Sequence, residues 1–567
     1  MISALLALVL FAVAASGPGL IFLRKVIKRR ARLRPAEVLV AGVGLSLLTV
    51  YGATWAIYLL DAPRAAHTMV SGACLVALVV CIPFLRNLSS SSSEVRRMLA
   101  VWGVFSAFSL ALLSLVRHHS GGQWGGDWYE HFQRARFFLE HAPRDVRFLG
   151  VWTLPSRPPF MNLIEAHVLA TAGVQYPAYQ VVSTLLSATV VLPVLLLTRI
   201  FTRRPGRAAV LIALFLLNPM LAENATYSWT KLFAAFYALA GIAFYVTGVK
   251  LESRLRVVLG LGFLAAGVLV HYSIAPYFLF VAGWEAVRAL RWKGPVLRNA
   301  AAGAIASSLV LASWFAWAFT VYGVRGTFAS TSTVGYASRF TGVGLVLNVV
   351  KNVWWSLVPH VLRKVDLGII AQTSPWGRLR DCLFLVYQTN AILGLGLGGA
   401  TLLFWPRKGG ARIRPFWIAL TAVTALVGIA VVSEVGTFGS AHMCLQTLVL
   451  LGLAAAAARW QVLPLGVRKT AVVLLAADFA FGIALQFALE SLHMENVGAF
   501  PVHWPDRMPL GLSWTAYANA LAKEMWQVTY LGDLVAGARV LVAGFVFVVA
   551  AAALAGLWRR AGASRSR

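Results

Sequence analysis

Apolar residues in this chain come in long continuous runs, without the strict alternation of half-buried strands. A bilayer core of roughly 30 Å takes about 20 apolar residues per helical span, so each such run predicts a transmembrane helix. Hydropathy places these runs at residues 1–23, 37–60, 69–86, 99–117, 177–200, 207–222, 231–249, 255–271, 273–290, 297–322, 382–405, 415–433, 441–458, 470–490 and 534–557. The expected fold is an all-α polytopic membrane protein of about fifteen transmembrane helices. A β-barrel is excluded, because its strands alternate apolar and polar positions.

Every second loop between these runs is basic. Arg203, Arg204 and Arg207; Lys250, Arg254 and Arg256; Arg291, Lys293 and Arg298; Arg407, Lys408, Arg412 and Arg414; Arg468 and Lys469; and Arg559, Arg560, Arg565 and Arg567 all fall on one side. That side is expected to be cytoplasmic, which puts the N-terminus outside and the C-terminus in the cytoplasm. The first run is followed by Arg24, Lys25, Lys28, Arg29, Arg30, Arg32 and Arg34, an order that predicts an anchor over a cleaved signal.

The loops on the other side differ in kind. Three are long, at 118–176, 323–381 and 491–533, and rich in Trp, Tyr, Pro and Gly. Long loops gathered on one side are where a site is built. Two carry amphipathic stretches, from Trp128 to Glu140 and from Leu345 to Leu362 around Trp354 and Trp355, which are expected to lie as helices in the interface. For the second stretch, plain aromatic anchoring accounts for the pattern equally well. The serine run from Ser89 to Ser93 is expected to be a flexible cytoplasmic connection. It divides accessory helices and linker at 1–98 from a core at 99–322, followed by the loop 323–381 and C-terminal helices at 382–567.

Composition agrees: of 567 residues, 59% are hydrophobic and 12% charged, with a mean hydropathy of +0.75. The formal net charge of +30 would suit nucleic acid, but the cations cluster at span ends, so the partner they imply is membrane lipid. Nucleic acid is excluded. Cys74 and Cys81 share one apolar run and Cys382 and Cys444 lie near span ends, with neither metal-ligand spacing nor a disulfide framework.

Candidate chemistry concentrates in the first long loop and at the ends of spans on the same side. Glycines from Gly121 to Gly126 let the backbone turn tightly before Asp127, placing a carboxylate at the water–lipid boundary. Asp127 with Glu130 also fits the capping pattern of the helix they begin, and both readings stay open. Lys231 opens a span where charge sidedness does not ask for a cation; a phosphate is its natural partner, with snorkelling as the plainer account. His271 and Tyr272 end another span on that side, and Glu434 and His442 bracket the short loop 433–441. Each of these four also suits a local hydrogen bond. His118, His119, Asp127, Glu130 and His131 are candidate ligands for a divalent metal, since Asp127 and His131 are one helical turn apart, although no compact ligand motif is present. Asp478, inside the run 470–490, is expected to make an interhelical hydrogen bond.

The order of Asp127, the helix from Trp128 to Glu140 and Arg157-Pro158-Pro159 resembles the first outer loop of the GT-C superfamily of glycosyltransferases. The resemblance is closest to the branch of protein O-mannosyltransferases and the aminoarabinose transferase of lipid A, and covers roughly residues 99–290. It implies a GT-C-like core in a bacterial inner membrane that moves a sugar from a polyprenyl-phosphate donor to a hydroxyl of a glycan, lipid or protein acceptor. Asp127 would be the general base of an inverting transfer. Lys231, Arg157 and His271 are the candidates for the donor phosphate, with Glu130, His131, Tyr227, Tyr272, Glu434 and His442 as further site residues. One departure is plain: Tyr227-Ser228-Trp229-Thr230-Lys231 carries a cation where relatives of the aminoarabinose transferase carry an Asp.

Three functions are compatible with this pattern. A transporter or lipid flippase would place polar groups at the midplane on broken helices and often shows internal repeats; neither is seen in the sequence. A lipid-linked polymer ligase would share the substrate class. The basic segments contain no glycine-rich nucleotide-binding loop, which favours a lipid-linked donor over a nucleotide sugar.

Overall fold

The computed structural model describes residues 1–28, 33–119, 127–149, 152–202, 207–292, 294–329, 342–357, 374–384, 386–387, 414–431, 445–492 and 528–562. The described residues are overwhelmingly helical, and apart from helices only an isolated bridge pairs Phe148 with Trp152 among them. In chain order the first five helices are α1 (Ile2–Ser16), α2 (Pro18–Lys28), α3 (Pro35–Leu59), α4 (Ala65–Ser91) and α5 (Ser93–Leu113). They are followed by α6 (Asp127–Glu140), α7 (Phe160–Ala172), α8 (Tyr176–Ala188), α9 (Val191–Phe201), α10 (Arg207–Leu216) and α11 (Pro219–Thr226). Then come α12 (Lys231–Lys250), α13 (Arg254–Val270), α14 (Ala275–Arg291) and α15 (Pro295–Ala329). Later helices occupy Val343–Leu357, Pro375–Phe384, Arg414–Val431, Leu445–Arg459, Leu465–Phe479 and Arg539–Gly562.

Among the described residues nine helices are long and apolar enough to cross a membrane, and α10 with α11 makes a tenth if that bent pair is one span. The protein is thus an all-α integral membrane protein. Shorter helices coincide with the expected runs at 255–271, 273–290, 415–433 and 441–458. The run at 382–405 lies largely outside the described residues, so the total of fifteen rests on sequence. The run at 207–222 is not one straight helix. It bends by 68° between Leu216 and Pro219, where a proline without an N–H begins the new helix.

Two further expectations change. Ser89 to Ser91 form the last turn of α4 and Ser92 caps α5, its hydroxyl accepting from the Val95 N–H at 3.3 Å. Serine is a poor helix former but a good cap, so the run joins two helices tightly in place of a flexible connection. The loop 118–176 contains α7, which is almost wholly buried. Phe160 at its start packs on Tyr51 with ring centroids 4.5 Å apart, while the carbonyls of Leu169 and Ala170 at its end accept from Arg64, at 3.3 and 3.0 Å. Tyr51 lies about 12 Å inside the end of α3, given the 1.5 Å rise per residue, whereas Arg64 follows that end. The chain therefore has dipped into the bundle by Phe160 and climbs back out along α7.

Small residues bring α12 and α13 together. A methyl group on Gly260 would stand 2.7 Å from the Tyr245 nitrogen, and one on Gly241 would stand 2.8 Å from the Gly260 carbonyl oxygen. Close approach of this kind maximises dispersion contacts, which drive helix association when the solvent is lipid. The first helices are built into this body. Tyr237 donates to the Gly44 carbonyl at 2.8 Å, Trp55 donates to the Ser313 carbonyl at 2.7 Å, and Glu37 pairs with Arg256 at 2.7 Å.

Candidate functional site

The site begins with the link between α11 and α12. Ser228 adopts a left-handed conformation with φ of 62°, uncommon for a residue with a Cβ, and turns the chain toward Lys231 at the start of α12. The Lys231 ammonium lies 3.1 Å from the centroid of the Trp229 ring, which also stands 4.9 Å from the ring of Tyr227. The Tyr179 hydroxyl fixes this link against α6: it stands 3.4 Å from the Trp128 carbonyl and 3.5 Å from that of Ser228. One hydroxyl proton serves either carbonyl, so α8 ties the first turn of α6 to the link before Lys231. Asp127, in that first turn, is partly accessible and within electrostatic reach of both Lys231 and Tyr227.

The second component comes from the interior of α6. Arg134 is fully buried, and its guanidinium donates to Glu130 at 2.8 Å, to the carbonyls of Leu154 and Thr153 at 2.8 and 3.2 Å, and to the Ser156 hydroxyl at 2.7 Å. Its plane also stacks 4.3 Å over Phe148. Arginine's fork thus pins the segment that leads into Arg157-Pro158-Pro159 against α6. Arg157 lies over Trp152 and 3.9 Å from Glu130, and its charge reaches Lys231, His131 and His271. Burial alone would raise the Glu130 carboxyl, but Arg134 and Arg157 outweigh it and hold the group below the usual carboxylate range. Glu130 is therefore an anion committed to arginine.

The two histidines are held neutral with a defined tautomer. His271 Nδ1 accepts from the Ser273 backbone N–H at 3.1 Å and lies 2.8 Å from the Ser273 hydroxyl. A ring nitrogen that accepts from a backbone N–H carries no proton, so the proton of the neutral ring is on Nε2. Burial, then Arg157, Lys231 and His131, push this imidazole well below its ordinary pKa. His131 Nδ1 lies 3.1 Å from the amide nitrogen of Asn162, which also donates to the His131 carbonyl at 3.3 Å and to Glu165 at 3.1 Å. Burial pushes His131 down to about 3; Glu130 works against the shift, and Arg134 and Arg157 reinforce it. Tyr272 donates to the Pro155 carbonyl at 3.1 Å and accepts from the Trp314 indole at 3.3 Å.

Asp127, Glu130, His131, Arg157, Tyr227, Lys231, His271 and Tyr272 are thus drawn to one end of the bundle. Glu434 and His442 lie outside the described residues. The proposed metal ligands do not gather: among the described residues no three His, Cys, Asp or Glu side chains are placed to hold a metal ion. His119 turns instead into an aromatic box of Tyr227, Trp128 and Tyr530, with centroids 5.0, 5.4 and 5.4 Å away, and burial, followed by Arg380, lowers its pKa to about 3. His131 is occupied by Asn162. Helix α6 buries most of its residues and pairs Glu130 with Arg134 inside the protein, while Arg136 and Glu140 pair on its exposed face. The second amphipathic stretch forms a helix at Val343–Leu357. Asp478 is buried beside Tyr387, whose hydroxyl feels its charge.

Several groups at the site were not anticipated. Arg134 had a local signal, an acidic residue one helical turn before it on the same helix. Asn162, Tyr179 and Tyr530 had none, since they join the site only through tertiary packing. Chemically the arrangement offers one partly accessible carboxylate, a lysine and an arginine nearby, and a neutral imidazole N–H, a set suited to holding an anion beside a proton acceptor.

No family model and no curated protein matches the chain. Among solved structures it is similar to ArnT from Cupriavidus metallidurans bound to undecaprenyl phosphate, with a TM-score of 0.44 and 17% identity over 82% of this chain and 75% of that one. It is similar also to the apo state of that protein, with a TM-score of 0.45 and 16% identity over 82% of this chain and 74% of that one.

Proposed function

We propose that this protein is a GT-C-type glycosyltransferase that takes a sugar from a polyprenyl-phosphate donor and transfers it to an acceptor hydroxyl at the outer face of the membrane. The observation that carries the reading is the meeting of Asp127 with Lys231 and Arg157 where a transmembrane helix begins. A polyprenyl chain must remain in lipid while its phosphate stays at head-group depth, and Lys231 stands at such a boundary. Asp127 removes the proton from the acceptor hydroxyl, and the oxygen attacks the anomeric carbon. The bond to the phosphate oxygen breaks on the opposite face, and polyprenyl phosphate departs with inversion.

Lys231 and Arg157 would offset the charge of the departing phosphate and His271 would help orient it, an electrostatic contribution made before the reaction begins. The general base adds roughly 10²- to 10⁴-fold. Glu130 is unsuited to that role, because Arg134 and Arg157 hold it as a carboxylate of low basicity. The basic loops on one side support a reading with Asp127 outside and the C-terminus in the cytoplasm, in keeping with an enzyme of a bacterial inner membrane.

A flippase or polymer ligase is the alternative, and the broken helix pair α10–α11 is a feature that a transporter would share. Purified protein offered a panel of polyprenyl-phosphate sugars separates these readings. Release of free polyprenyl phosphate from one donor, coupled to sugar transfer, is the expected result. Movement of intact donor across a sealed vesicle without cleavage would overturn it.

A further inference from the structure

His271 ends α13 at the site, and its surroundings admit two roles. As the residue that begins the short turn Tyr272–Ile274, it caps that turn through Nδ1, which accepts from the Ser273 N–H. This capping bond also decides the chemistry of the far side of the ring. Two donors on residue 273, the backbone N–H at 3.1 Å and the hydroxyl at 2.8 Å, converge on Nδ1. A proton on Nδ1 would meet the backbone N–H head on, so the only proton of the neutral ring is on Nε2. The groups whose charge reaches the ring are Arg157, Lys231 and His131, from the loop before α7, the start of α12 and helix α6. None of them is an anion that would stabilise an imidazolium. A neutral N–H donor beside Arg157 and Lys231 is a hydrogen-bond group for an anionic oxygen that adds no further positive charge to the cluster.

We propose that His271 serves as a fixed, uncharged Nε2–H donor to an oxygen of the lipid-linked phosphate, with the Ser273 backbone as the group that sets its tautomer. The inference rests on the donor reading above and specifies how one of its ligands works. His271 would bind through a hydrogen bond and take no proton in the reaction.

Asparagine and glutamine divide the two sides of the ring between them. In His271→Asn the side-chain oxygen can still cap Ser273, but nothing reaches the position of Nε2. In His271→Gln the terminal amide nitrogen reaches that position. Undecaprenyl phosphate and the uncharged undecaprenol, each in detergent micelles, are titrated against wild type, His271→Asn, His271→Gln and Lys231→Ala at pH 8 and pH 5. The expected result is that His271→Asn folds and melts near wild type yet binds undecaprenyl phosphate about 10- to 150-fold more weakly, the range for a hydrogen bond to a charged acceptor. His271→Gln should recover most of the affinity, and the ratio of wild type to His271→Gln should be the same at both pH values. Wild-type affinity in His271→Asn would reduce His271 to a cap and overturn the proposal. A wild-type advantage over His271→Gln that grows on acidification would overturn it too, by showing an imidazolium at the phosphate. If wild type does not prefer undecaprenyl phosphate over undecaprenol, the donor reading itself fails and this inference with it. If Lys231→Ala loses affinity and His271→Asn does not, the donor reading stands and only the role of His271 falls.

Discussion

The Lys231 ammonium rests 3.1 Å from the centre of the Trp229 ring, on a side chain that is itself almost completely buried. A snorkelling lysine extends its charge to water; this one is folded back onto an indole and faces Asp127 and Arg157. The contact with the ring orients the amine and replaces part of its lost hydration.

Removal of that amine should be costly for an anionic ligand. Lys231→Ala is expected to weaken binding of a polyprenyl phosphate by about 1.5 to 3 kcal/mol, the loss of a charge-assisted hydrogen bond. Lys231→Arg should keep part of it, since charge survives while geometry changes. Trp229→Leu should give a smaller loss, on the order of 0.5 to 2 kcal/mol, by freeing the ammonium from the ring. Donor titration of the folded variants measures all three, and an unchanged affinity in Lys231→Ala would exclude the phosphate role.

Asp127→Asn separates catalysis from capping. The amide retains the size and a capping oxygen but takes no proton at neutral pH, so thermal stability and donor binding should stay close to wild type. Sugar transfer should fall by roughly 10²- to 10⁴-fold. Single-turnover transfer with a preloaded donor reports the chemical step alone. Turnover near wild type would return Asp127 to the cap of α6.

Much of this was legible in the sequence, for reasons that differ by feature. The runs at 37–60, 231–249 and 255–271 fall on α3, α12 and α13 within a few residues, because a helix in lipid must be apolar along its whole length. The approach of Arg157 to Lys231 could be expected from sidedness, which put both at one end. The fate of Glu130 could not. Whether it served as an acid or as a partner depended on Arg134, and whether Arg134 was buried depended on the carbonyls of Thr153 and Leu154 coming back to meet it. Helix α7 was missed for a related reason: Phe160–Ala172 is too short to span, and only burial by α1, α3 and α8 marks it as an interior element.

Acid should destabilise the fold in a way assigned to buried histidines. His131 and His119 titrate near 3 in the folded protein, below the ordinary 6.5. Between those values the unfolded chain binds protons that the folded chain does not, so stability falls as pH drops below about 6.5, by at most about 1.4 kcal/mol per pH unit for each histidine. Glu130, whose folded pKa is depressed, adds to the loss only at lower pH, where unfolded glutamates protonate. Thermal unfolding in detergent from pH 7.5 to 4.5 should show a shallower slope for His131→Gln than for wild type. Equal slopes would mean that His131 is solvated.

Topology is open to a direct test. Asp145 and Glu252 are both exposed and fall on opposite sides of the expected membrane. In a cysteine-free background, single cysteines at these positions should react with an impermeant maleimide from opposite faces of intact cells, residue 145 from outside. Labelling of both from one face would remove the sidedness on which the proposed reaction depends.

The pair formed by Glu37 and Arg256 tests whether the first helices belong to the body or merely accompany it. Arg256 at the start of α13 places Nε 3.0 Å and one terminal nitrogen 2.7 Å from the two oxygens of Glu37 on α3, and both side chains are buried. The same carboxylate accepts from the Arg34 backbone N–H at 2.7 Å, which closes the first turn of α3. Glu37→Ala would leave a guanidinium enclosed without its anion, a change that costs about 3 to 5 kcal/mol where a buried pair is broken from one side. Glu37→Gln should cost less, since an amide oxygen can still accept from Arg256. The double change Glu37→Met with Arg256→Met should recover much of the loss, because two apolar side chains leave no unpaired charge behind. Thermal melts of the three variants give this ordering. Amide exchange in α13 should rise in Glu37→Ala if α3 supports that helix. A Glu37→Ala protein that melts with wild type and exchanges normally in α13 would mean that this pair contributes nothing to the bundle that carries Lys231 and His271.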